Sequence, residues 1–346
     1  MRSRVLINCR SLAAKHFTGV QRYTVEIIKH FGDCYGVIDP PQELEGVKGH
    51  LWEQVMLPAM LSGEGLLWSP ANTGPLKVRR QVVTMHDAAT LDHPEWFERK
   101  FAAWYRFLLP RLANRVQRVI TVSEYSRHRL VAQTGIPHSK VTVIPLAADA
   151  RFRTYERPAL EAALRIWGLS ETPYLLAVGS LEPRKNLGTL FQAWEAWEGR
   201  PVGLQLAVVG AGNKVFSGAG FGQVPQGVNL LGRVSDEVLP LLYAGAEAFL
   251  YPSLYEGFGL PPLEAMASGT PVVTSNVTSL PEVVGDAALT VDPRDALALR
   301  DAMRRVVTDT ALASELRVRG LHRAAHYSWE KTAAHTWEIL QQEANK

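Results

Sequence analysis

The chain has 346 residues, of which 47% are hydrophobic and 21% charged, and this length and composition are typical of a globular protein with two domains. Its two cysteines are too few for a disulfide framework and favour a reducing, cytoplasmic setting. No apolar run approaches the roughly 20 residues that span a bilayer, and the short run after the basic start is interpreted as a buried strand rather than a signal peptide.

The net charge of +3 conceals an asymmetry between the two halves of the chain. Residues 1–150 carry 19 Lys and Arg against 13 Asp and Glu, a balance of +6, and the remainder carries 18 against 21, a balance of −3. We expect the basic half to meet an acidic partner, and we expect no nucleic-acid partner.

Short apolar runs alternate with helix-like stretches in the first 150 residues. After the first strand, Gly19 begins a helix-like stretch, where a glycine lets the backbone approach an anion, although an ordinary turn is the alternative. His86 follows the apolar run 81–85, at the carboxyl end of a predicted strand, where open α/β sheets bind ligands. A lone histidine is more often structural, and Asp87 is a candidate for orienting its ring.

The segment from Pro94 to Arg118 interleaves six basic and two acidic residues with Trp, Phe and Tyr. This composition suits the surface of an anionic membrane or a lipid-pyrophosphate acceptor. The alternative is an amphipathic helix that buries its aromatic side, and we expect Pro110 to interrupt it. Beyond this segment, Ser123 is predicted to cap a helix through Val131. Ser235 is predicted to cap a later helix, with Asp236 and Glu237 in its first turn.

The second half begins with the apolar run 174–178, a glycine turn and two adjacent cations. Gly179 and Ser180 form the turn, and Arg184 and Lys185 follow where a ligand would enter. Arginine binds phosphate oxygens bidentately and lysine adds a compact charge, so that the pair can neutralise a diphosphate without metal. Adjacent cations in a loop are, however, more often simply solvated.

The stretch 251–267 is predicted to form a strand, a glycine-rich loop and a helix that begins at one of its two prolines. The N–H groups at this junction suit a phosphate, and they belong to Gly257, Phe258, Gly259 and Leu260. Glu256 and Glu264 border the same point and would repel a phosphate unless sugar hydroxyls occupied them. The pair therefore predicts a nucleotide-sugar ligand. The alternative is a solvated Glu256 and a Glu264 that only complements the helix dipole.

The motif E-G-F-G-L-P-P-L-E-A-M-A-S-G-T-P-V-V, with G-S-L-E-P-R-K-N-L before it, resembles glycosyltransferase family 4, retaining enzymes with a Glu-x7-Glu motif. The resemblance covers nearly the whole chain. It implies an α/β glycosyltransferase-B fold, in which two Rossmann-like doubly wound domains face each other across a cleft. Residues 1–150 would bind the acceptor, 151–328 would bind the nucleotide-sugar, and the helix 329–346 would cross back to the first domain.

The resemblance also implies roles for the candidate residues. Glu256 and His86 would contact the transferred sugar, and Arg184 and Lys185 the diphosphate. The backbone of Gly19 would reach the donor phosphate, and Glu264 would bind the ribose. The remaining donor-binding candidates are the residues of the two glycine turns and Val234, whose backbone would lie near the base: Gly179, Ser180, Val234, Gly257, Phe258, Gly259 and Leu260.

The chain has no Asp-x-Asp pair and no His/Cys cluster with metal spacing, so we expect a reaction that requires no metal or other cofactor. We expect same-face displacement, in which the acceptor hydroxyl enters on the side from which the diphosphate departs. The run T-G-V-Q-R-Y resembles family members that use GDP-mannose to build bacterial surface polysaccharide. A glycan or lipid-pyrophosphate-linked acceptor, a cytoplasmic location and a peripheral contact of the basic half with the inner membrane would follow.

Three alternatives remain from the sequence. A Rossmann dehydrogenase is disfavoured because no Gly-x-Gly-x-x-Gly occurs. A non-catalytic protein that binds sugar nucleotides would keep the binding motifs without the chemistry. An epimerase or phosphorylase of the same fold would release free sugar or nucleotide without an acceptor.

Overall fold

The computed structural model describes residues 4–13, 19–32, 35–41, 44, 46–61, 65–180, 182–210 and 224–346. The chain divides into two compact units. The first contains Met1–Pro94, Arg99–Leu146 and Ser328–Lys346, and the second contains Glu95–Glu98 and Ala147–Tyr327. Each unit is built on one parallel sheet covered by helices.

The strands are short apolar runs, as expected for strands with both faces covered. Those of the first unit are β1 (Arg4–Asn8), β2 (Tyr35–Ile38), β3 (Gly65–Ser69), β4 (Gln81–Thr84), β5 (Arg118–Thr121) and β6 (Val141–Val143). Those of the second are β7 (Tyr174–Val178), β8 (Gln205–Val209), β9 (Val228–Gly232), β10 (Ala248–Tyr251), β11 (Val272–Ser275) and β12 (Ala288–Val291). The orders are β2-β1-β3-β4-β5-β6 and β12-β11-β10-β7-β8-β9. The α/β fold class predicted from the sequence is confirmed.

The helices of the first half of the described chain are α1 (Gly19–Lys29), α2 (Gly46–Leu51), α3 (Leu57–Met60), α4 (Ala89–Asp92), α5 (Arg99–Arg115), α6 (Glu124–Thr134) and α7 (Arg157–Leu164). Those of the second half are α8 (Leu187–Glu195), α9 (Leu239–Ala244), α10 (Leu260–Ala267), α11 (Leu280–Val284), α12 (Ala296–Thr308), α13 (Thr310–Ala324) and α14 (Trp329–Ala344). A π-helical turn, Trp52–Met56, joins α2 to α3. Within the described ranges, no helix is long and apolar enough to cross a membrane.

Two predictions about helices are wrong. Pro110 does not interrupt its segment, because α5 runs through it. Because Pro110 has no N–H, the backbone carbonyl of Arg106 lacks its helical hydrogen bond. Arg106 is exposed, so water can bind this carbonyl instead. Ser235 does not cap a helix, because its carbonyl instead accepts bonds from the amides of Val238 and Leu239 in a turn, and α9 begins at Leu239.

Other helix ends follow the local chemistry predicted for them. The hydroxyl of Ser123 accepts a hydrogen bond from the amide of Ser126 and caps α6. This helix extends to Thr134, three residues beyond the predicted end at Val131, and Gly135 terminates it in the left-handed conformation. Helix α14 belongs to the first unit although it follows the second in the chain.

Candidate active site

The sheet of the second unit reverses its strand order between β7 and β10. Strands β7 and β10 are neighbours in the sheet. Strands β8 and β9, which come between them in the chain, lie on the other side of β7. Open α/β sheets bind ligands outside the carboxyl ends of the strands at such a reversal. The loops 179–186 and 252–259 follow β7 and β10, and together they carry most of the residues predicted for the donor.

Glu256 is a buried carboxylate surrounded by hydrogen-bond donors. Its Oε1 accepts bonds from Lys185 Nζ at 2.7 Å, from the Tyr251 hydroxyl at 2.8 Å and from Ser253 Oγ at 2.6 Å. Its Oε2 accepts one bond, from Arg184 Nη1 at 3.2 Å. Because each carboxylate oxygen offers about two acceptor sites, Oε1 is filled, whereas Oε2 can accept a further donor.

The charge of Glu256 is held by its two cationic neighbours. Burial alone would raise the pKa of Glu256, but Lys185 and Arg184 lower this pKa to about 2. The carboxylate is therefore ionised at neutral pH. The interpretation of Glu256 as a solvated loop residue is wrong, since only 6% of the residue is exposed.

Arg184 binds a second carboxylate, which the sequence reasoning missed. Its Nε donates to Glu182 Oε2 at 2.8 Å and its Nη2 to Glu182 Oε1 at 3.3 Å, the bidentate geometry that arginine favours. Arg184, Lys185, Glu182 and Glu256 therefore form a cluster of two cations and two anions, called the charge cluster below. The pattern Glu-Pro-Arg-Lys in the sequence was the available signal, because it places this acid two residues before the arginine.

Hydrogen bonds fix the loop after β10 on two sides. The amide of Leu254 donates to the carbonyl of Arg184 at 2.7 Å. On the other side, Ser279 Oγ donates to the carbonyls of Glu256 at 3.0 Å and Phe258 at 2.8 Å. The backbone that presents the Glu256 carboxylate is thus held by two neighbouring segments of the same unit.

Helix α10 starts where this loop ends. Gly259 is the N-cap, with a φ of 109° that favours glycine, and Leu260 is the first helical residue. Since Pro261 and Pro262 have no N–H, only Leu260 among the first three helical residues carries an amide donor. The predicted phosphate donors, Gly257, Phe258, Gly259 and Leu260, therefore lie mainly in the loop rather than in the helix.

Glu264 is the fifth residue of α10 and lies past its first turn. It is 5% exposed, and its Oε2 accepts a hydrogen bond from the hydroxyl of Tyr243 at 3.2 Å. Because Glu264 is buried and hydrogen-bonded to Tyr243, its role is not limited to complementing the dipole of α10.

The turn after β7 is closely packed. The amide of Gly179 donates to the carbonyl of Val209 at 2.9 Å, and a Cβ on Gly210 would lie 1.8 Å from the Gly179 carbonyl oxygen. Ser180 Oγ is hydrogen-bonded to a carboxylate of the charge cluster, Glu182. Val234 lies in the loop after β9 and packs against the core of the second unit.

Two predicted site residues belong to the first unit. Gly19 is the exposed first residue of α1. His86 lies just beyond β4; its Nε2 is 2.9 Å from the carbonyl oxygen of Pro70 and its ring packs edge-on against Tyr23. Burial lowers the pKa of His86 to about 4, so the ring is neutral at neutral pH. A neutral ring whose Nε2 faces a carbonyl carries its proton there, which leaves Nδ1 as an acceptor.

A polar cluster that the sequence reasoning missed lies at the carboxyl ends of β1 and β3, where the first sheet reverses its strand order. Glu53 is 1% exposed, and its Oε1 accepts bonds from Asn8 Nδ2 at 2.9 Å, Arg10 Nε at 3.0 Å and Thr73 Oγ1 at 3.2 Å. Burial raises the pKa of Glu53, but Arg10, His50 and the bond from Asn8 lower it to about 2. Its Oε2 lies 3.9 Å from His50 Nδ1.

Among the described residues, no group of three or more His, Cys, Asp or Glu side chains is arranged to hold a metal ion. The charged side chains at the carboxyl ends of β7 and β10 are instead paired with each other.

Residues 172–309 match the family of glycosyl transferases group 1, and residues 62–152 match glycosyltransferase family 4. The chain is 34% identical over 268 residues to O-antigen chain mannosyltransferase B from Escherichia coli, and the match covers 76% of this chain and 70% of that protein. It is 30% identical over 275 residues to the serotype-specific mannosyltransferase WbdA from E. coli, and there the match covers 76% of this chain but 33% of that protein. The chain thus spans about a third of the length of WbdA.

Sucrose-phosphate synthase from Thermosynechococcus elongatus has a similar structure, with a TM-score of 0.76, 18% sequence identity and coverage of 99% of both chains. This likeness concerns the fold, which is the glycosyltransferase-B type. The two family matches define a protein of the glycosyltransferase class. The family matches and the first relative are more specific: the chain belongs to glycosyltransferase family 4 and is a hexosyltransferase.

Proposed function

We propose that the protein transfers mannose from GDP-mannose, with retention of configuration and without a metal ion, to a hydroxyl of a glycan or a lipid-linked acceptor. The observation that carries this proposal is the ionised, buried Glu256 held between Lys185 and Arg184 at the strand reversal. The names of both relatives above, which are mannosyltransferases, support the choice of sugar. The T-G-V-Q-R-Y run supports the choice of GDP-mannose.

Glu256 binds an outer hydroxyl of the transferred sugar through Oε2, the oxygen with remaining acceptor capacity. It is a poor nucleophile, because three donors occupy Oε1 and a pKa of about 2 makes the carboxylate weakly basic. Retaining glycosidases rely on a nucleophilic carboxylate. A carboxylate engaged in this way supports same-face displacement instead, with the departing phosphate oxygen taking the proton of the acceptor hydroxyl.

Arg184 and Lys185 stabilise the departing diphosphate. The side chain of Arg184 is 20% exposed and that of Lys185 is 9% exposed, so Arg184 offers the more accessible cation. The amides of the loop from Gly257 to Leu260 and the amide of Ser180 supply further donors, whereas the amide of Gly179 is bonded to the carbonyl of Val209. These groups replace the metal ion that many transferases use to neutralise a diphosphate.

The other predicted residues take the remaining parts of the donor. Glu264 accepts hydrogen bonds from ribose hydroxyls, the backbone at Val234 contacts the base, and the backbone of Gly19 contacts a phosphate. His86 contacts the transferred sugar, and its neutral ring supports acceptance of a hydroxyl proton at Nδ1 rather than donation.

We assign the acceptor to the first unit, around Arg10. Its guanidinium is held by Glu53 and by Thr73 at 2.8 Å, at the carboxyl ends of the strands that flank the reversal in this sheet. A cation fixed by two neighbours is suited to an acceptor that carries hydroxyls or a pyrophosphate.

The proposal is tested by the shift in melting temperature across a panel of GDP-, UDP- and ADP-sugars, with transfer to mannosylated acceptors measured in the presence and absence of EDTA. Because a ligand stabilises the folded state by mass action, GDP-mannose should give the largest shift, and EDTA should leave transfer unchanged. A larger shift with another nucleotide-sugar would overturn the donor. Loss of transfer in EDTA would overturn the metal-independent mechanism, and release of free sugar without transfer would favour an epimerase or phosphorylase.

A further inference from the structure

Ser279 lies at the N-cap of α11, but its hydroxyl does not cap that helix. A serine at this position normally accepts a hydrogen bond from an amide of the first helical turn. The Ser279 hydroxyl donates instead to the carbonyls of Glu256 at 3.0 Å and Phe258 at 2.8 Å, which share its one hydrogen. The residue is fully buried. Its side chain therefore serves the loop after β10 rather than its own helix.

The residue before Ser279 has a strained backbone. Thr278 has a φ of 62°, a left-handed conformation that is rare for a β-branched residue. Such a conformation persists only where the surrounding contacts hold it, and it is found mainly at functional sites. The Oγ1 of Thr278 accepts a hydrogen bond from the amide of Glu256 at 3.4 Å. Two consecutive side chains, one of them on a strained backbone, thus bind the loop that carries Glu256.

The two carbonyls that Ser279 binds belong to alternate peptide groups, Glu256–Gly257 and Phe258–Gly259. The described part of the chain has no cis peptide bond, and in a planar trans peptide the C=O and the N–H point in opposite directions. Two carbonyls that face one hydroxyl therefore turn the N–H groups of Gly257 and Gly259 to the other side of the loop. Backbone N–H groups that face one side in this way form an anion-binding concavity.

The two glycines cannot fix these peptide groups by themselves. Glycine has no Cβ, so its backbone adopts several conformations with similar ease. Without the Ser279 hydroxyl, both carbonyls would lose a buried donor, and the two peptide groups could rotate and turn their N–H groups elsewhere. A hydroxyl supplied by a neighbouring segment is suited to prevent this rotation.

We propose that Ser279 is a positioning residue for the donor diphosphate, which it serves by turning the N–H groups of Gly257 and Gly259 towards the phosphates. This inference rests on the proposed function, because it requires a nucleoside diphosphate as the ligand of this loop. Ser279 acts through the backbone and needs no contact of its own with the donor. Because the two amides are oriented before the ligand binds, they need no reorganisation when charge develops on the departing diphosphate.

The test compares the affinities of GDP and guanosine, which share base and ribose but differ in the diphosphate. Ser279→Ala should weaken the binding of GDP about tenfold, because two amides lose their orientation, and should change that of guanosine by less than about twofold. Ser279→Thr keeps the hydroxyl and should bind GDP within about threefold of the wild type. Calorimetry measures GDP and ligand-observed NMR measures guanosine. Equal losses of affinity for both ligands in Ser279→Ala would overturn the proposal.

The matched control is Thr270→Val, which removes another buried hydroxyl of the second unit. Thr270 is 2% exposed, and its Oγ1 donates to the carbonyl of Tyr243 at 2.6 Å. This variant also leaves a buried carbonyl without its donor, but it should bind GDP like the wild type. If Thr270→Val and Ser279→Ala bound GDP equally well, the role given to Ser279 would be wrong. A wild-type chain that binds no nucleoside diphosphate would instead refute the proposed function itself.

NMR of the chain labelled with isotope-enriched glycine observes the two N–H groups directly. GDP should move the amide proton signals of Gly257 and Gly259 downfield in the wild type, because phosphate oxygens accept their hydrogen bonds, and these shifts should largely disappear in Ser279→Ala. The variants Gly257→Ala and Gly259→Ala assign the two signals. If GDP bound the wild type without shifting either signal, the proposal would be contradicted, even if Ser279→Ala failed to fold.

Discussion

Glu256 combines burial, full ionisation and one oxygen that can still accept a hydrogen bond. Removing its charge should affect the reaction more than the binding of the nucleotide, because the proposed role of the carboxylate is to bind the sugar rather than the diphosphate. We expect Glu256→Gln to lower turnover by about 100-fold or more and to change the dissociation constant of GDP by less than about threefold. Steady-state kinetics and calorimetric titration with GDP measure the two effects.

The control for this substitution is Glu247→Gln, which removes a carboxylate from an exposed position of the same unit. It should leave both quantities unchanged. Equal turnover of Glu256→Gln and the wild type would refute the role given to Glu256, and a cooperative thermal unfolding transition in each variant would show that both are folded.

His86 predicts a pH dependence of stability. Its pKa is about 4 in the folded chain against 6.5 for the free side chain, so the unfolded chain binds more protons between these values. The contribution of His86 is complete above pH 6.5 and is lost as the pH falls towards 4. The free energy of unfolding should therefore decrease by about 2 to 3 kcal/mol between pH 6.5 and 4.5, as measured by urea denaturation.

His86→Asn cannot ionise, so its free energy of unfolding should fall less over the same interval. Identical losses in both proteins would contradict the assignment to His86. Glu53 and Glu256 affect the free energy of unfolding in a lower pH range, because their pKa values of about 2 lie below the ordinary 4.5. Their contribution is present above pH 4.5 and is lost only as the pH falls towards 2.

The loop after β10 and the start of α10 depend on one glycine. Gly259 has a φ of 109°, and a Cβ there would lie 2.8 Å from Leu280 Cδ2. Gly259→Ala should lower the free energy of unfolding by about 1 to 3 kcal/mol and should also lower turnover, because the loop that holds Glu256 must shift. Urea denaturation and steady-state kinetics measure both.

The matched control is Gly188→Ala in α8, where a Cβ would meet nothing within 4 Å. Alanine there should leave turnover unchanged and should stabilise the chain by up to about 1 kcal/mol. If Gly259→Ala were as stable and active as Gly188→Ala, the conformation of this loop would not matter to the site.

The strand, loop and helix of residues 251–267 were predictable because their signals are local. An apolar run, two glycines and two prolines follow one another, and the helix begins at Leu260, next to the first proline. The helix that was placed at Ser235 failed for a local reason as well. A serine followed by two acids is compatible with both a cap and a turn, and Pro240 favours a later start.

The partners of the site residues were less accessible to sequence reasoning. Tyr251 donates to Glu256 from only five residues away, but Lys185 reaches the same oxygen across 71 residues. Arg10 and Glu53 are 43 residues apart, and no motif marks them. Only the pairing of strands brings such residues together, so a single sequence can suggest candidate residues without giving their partners.

Positive charge is concentrated in residues 1–150, and the structure shows that part of it lies on helix α5. The excess of cations in residues 1–150 was visible in the composition, and α5 was recognised as basic and aromatic. The exposed apolar side chains of segment 46–60, which are Val47, Leu51, Val55, Met56 and Met60, were missed, because the segment passes through a π-helical turn that sequence periodicity does not reveal.

In the proposed reaction, the acceptor hydroxyl replaces the nucleoside diphosphate on the same face of the anomeric carbon of the sugar. The most direct measurement is the anomeric configuration of the product, determined by NMR after incubation with GDP-mannose, whose mannose is α-linked, and a mannosylated lipid-pyrophosphate acceptor in EDTA. Same-face displacement should give an α-linked mannoside. A β-linked product, or no transfer from any nucleotide-sugar to any acceptor, would contradict it.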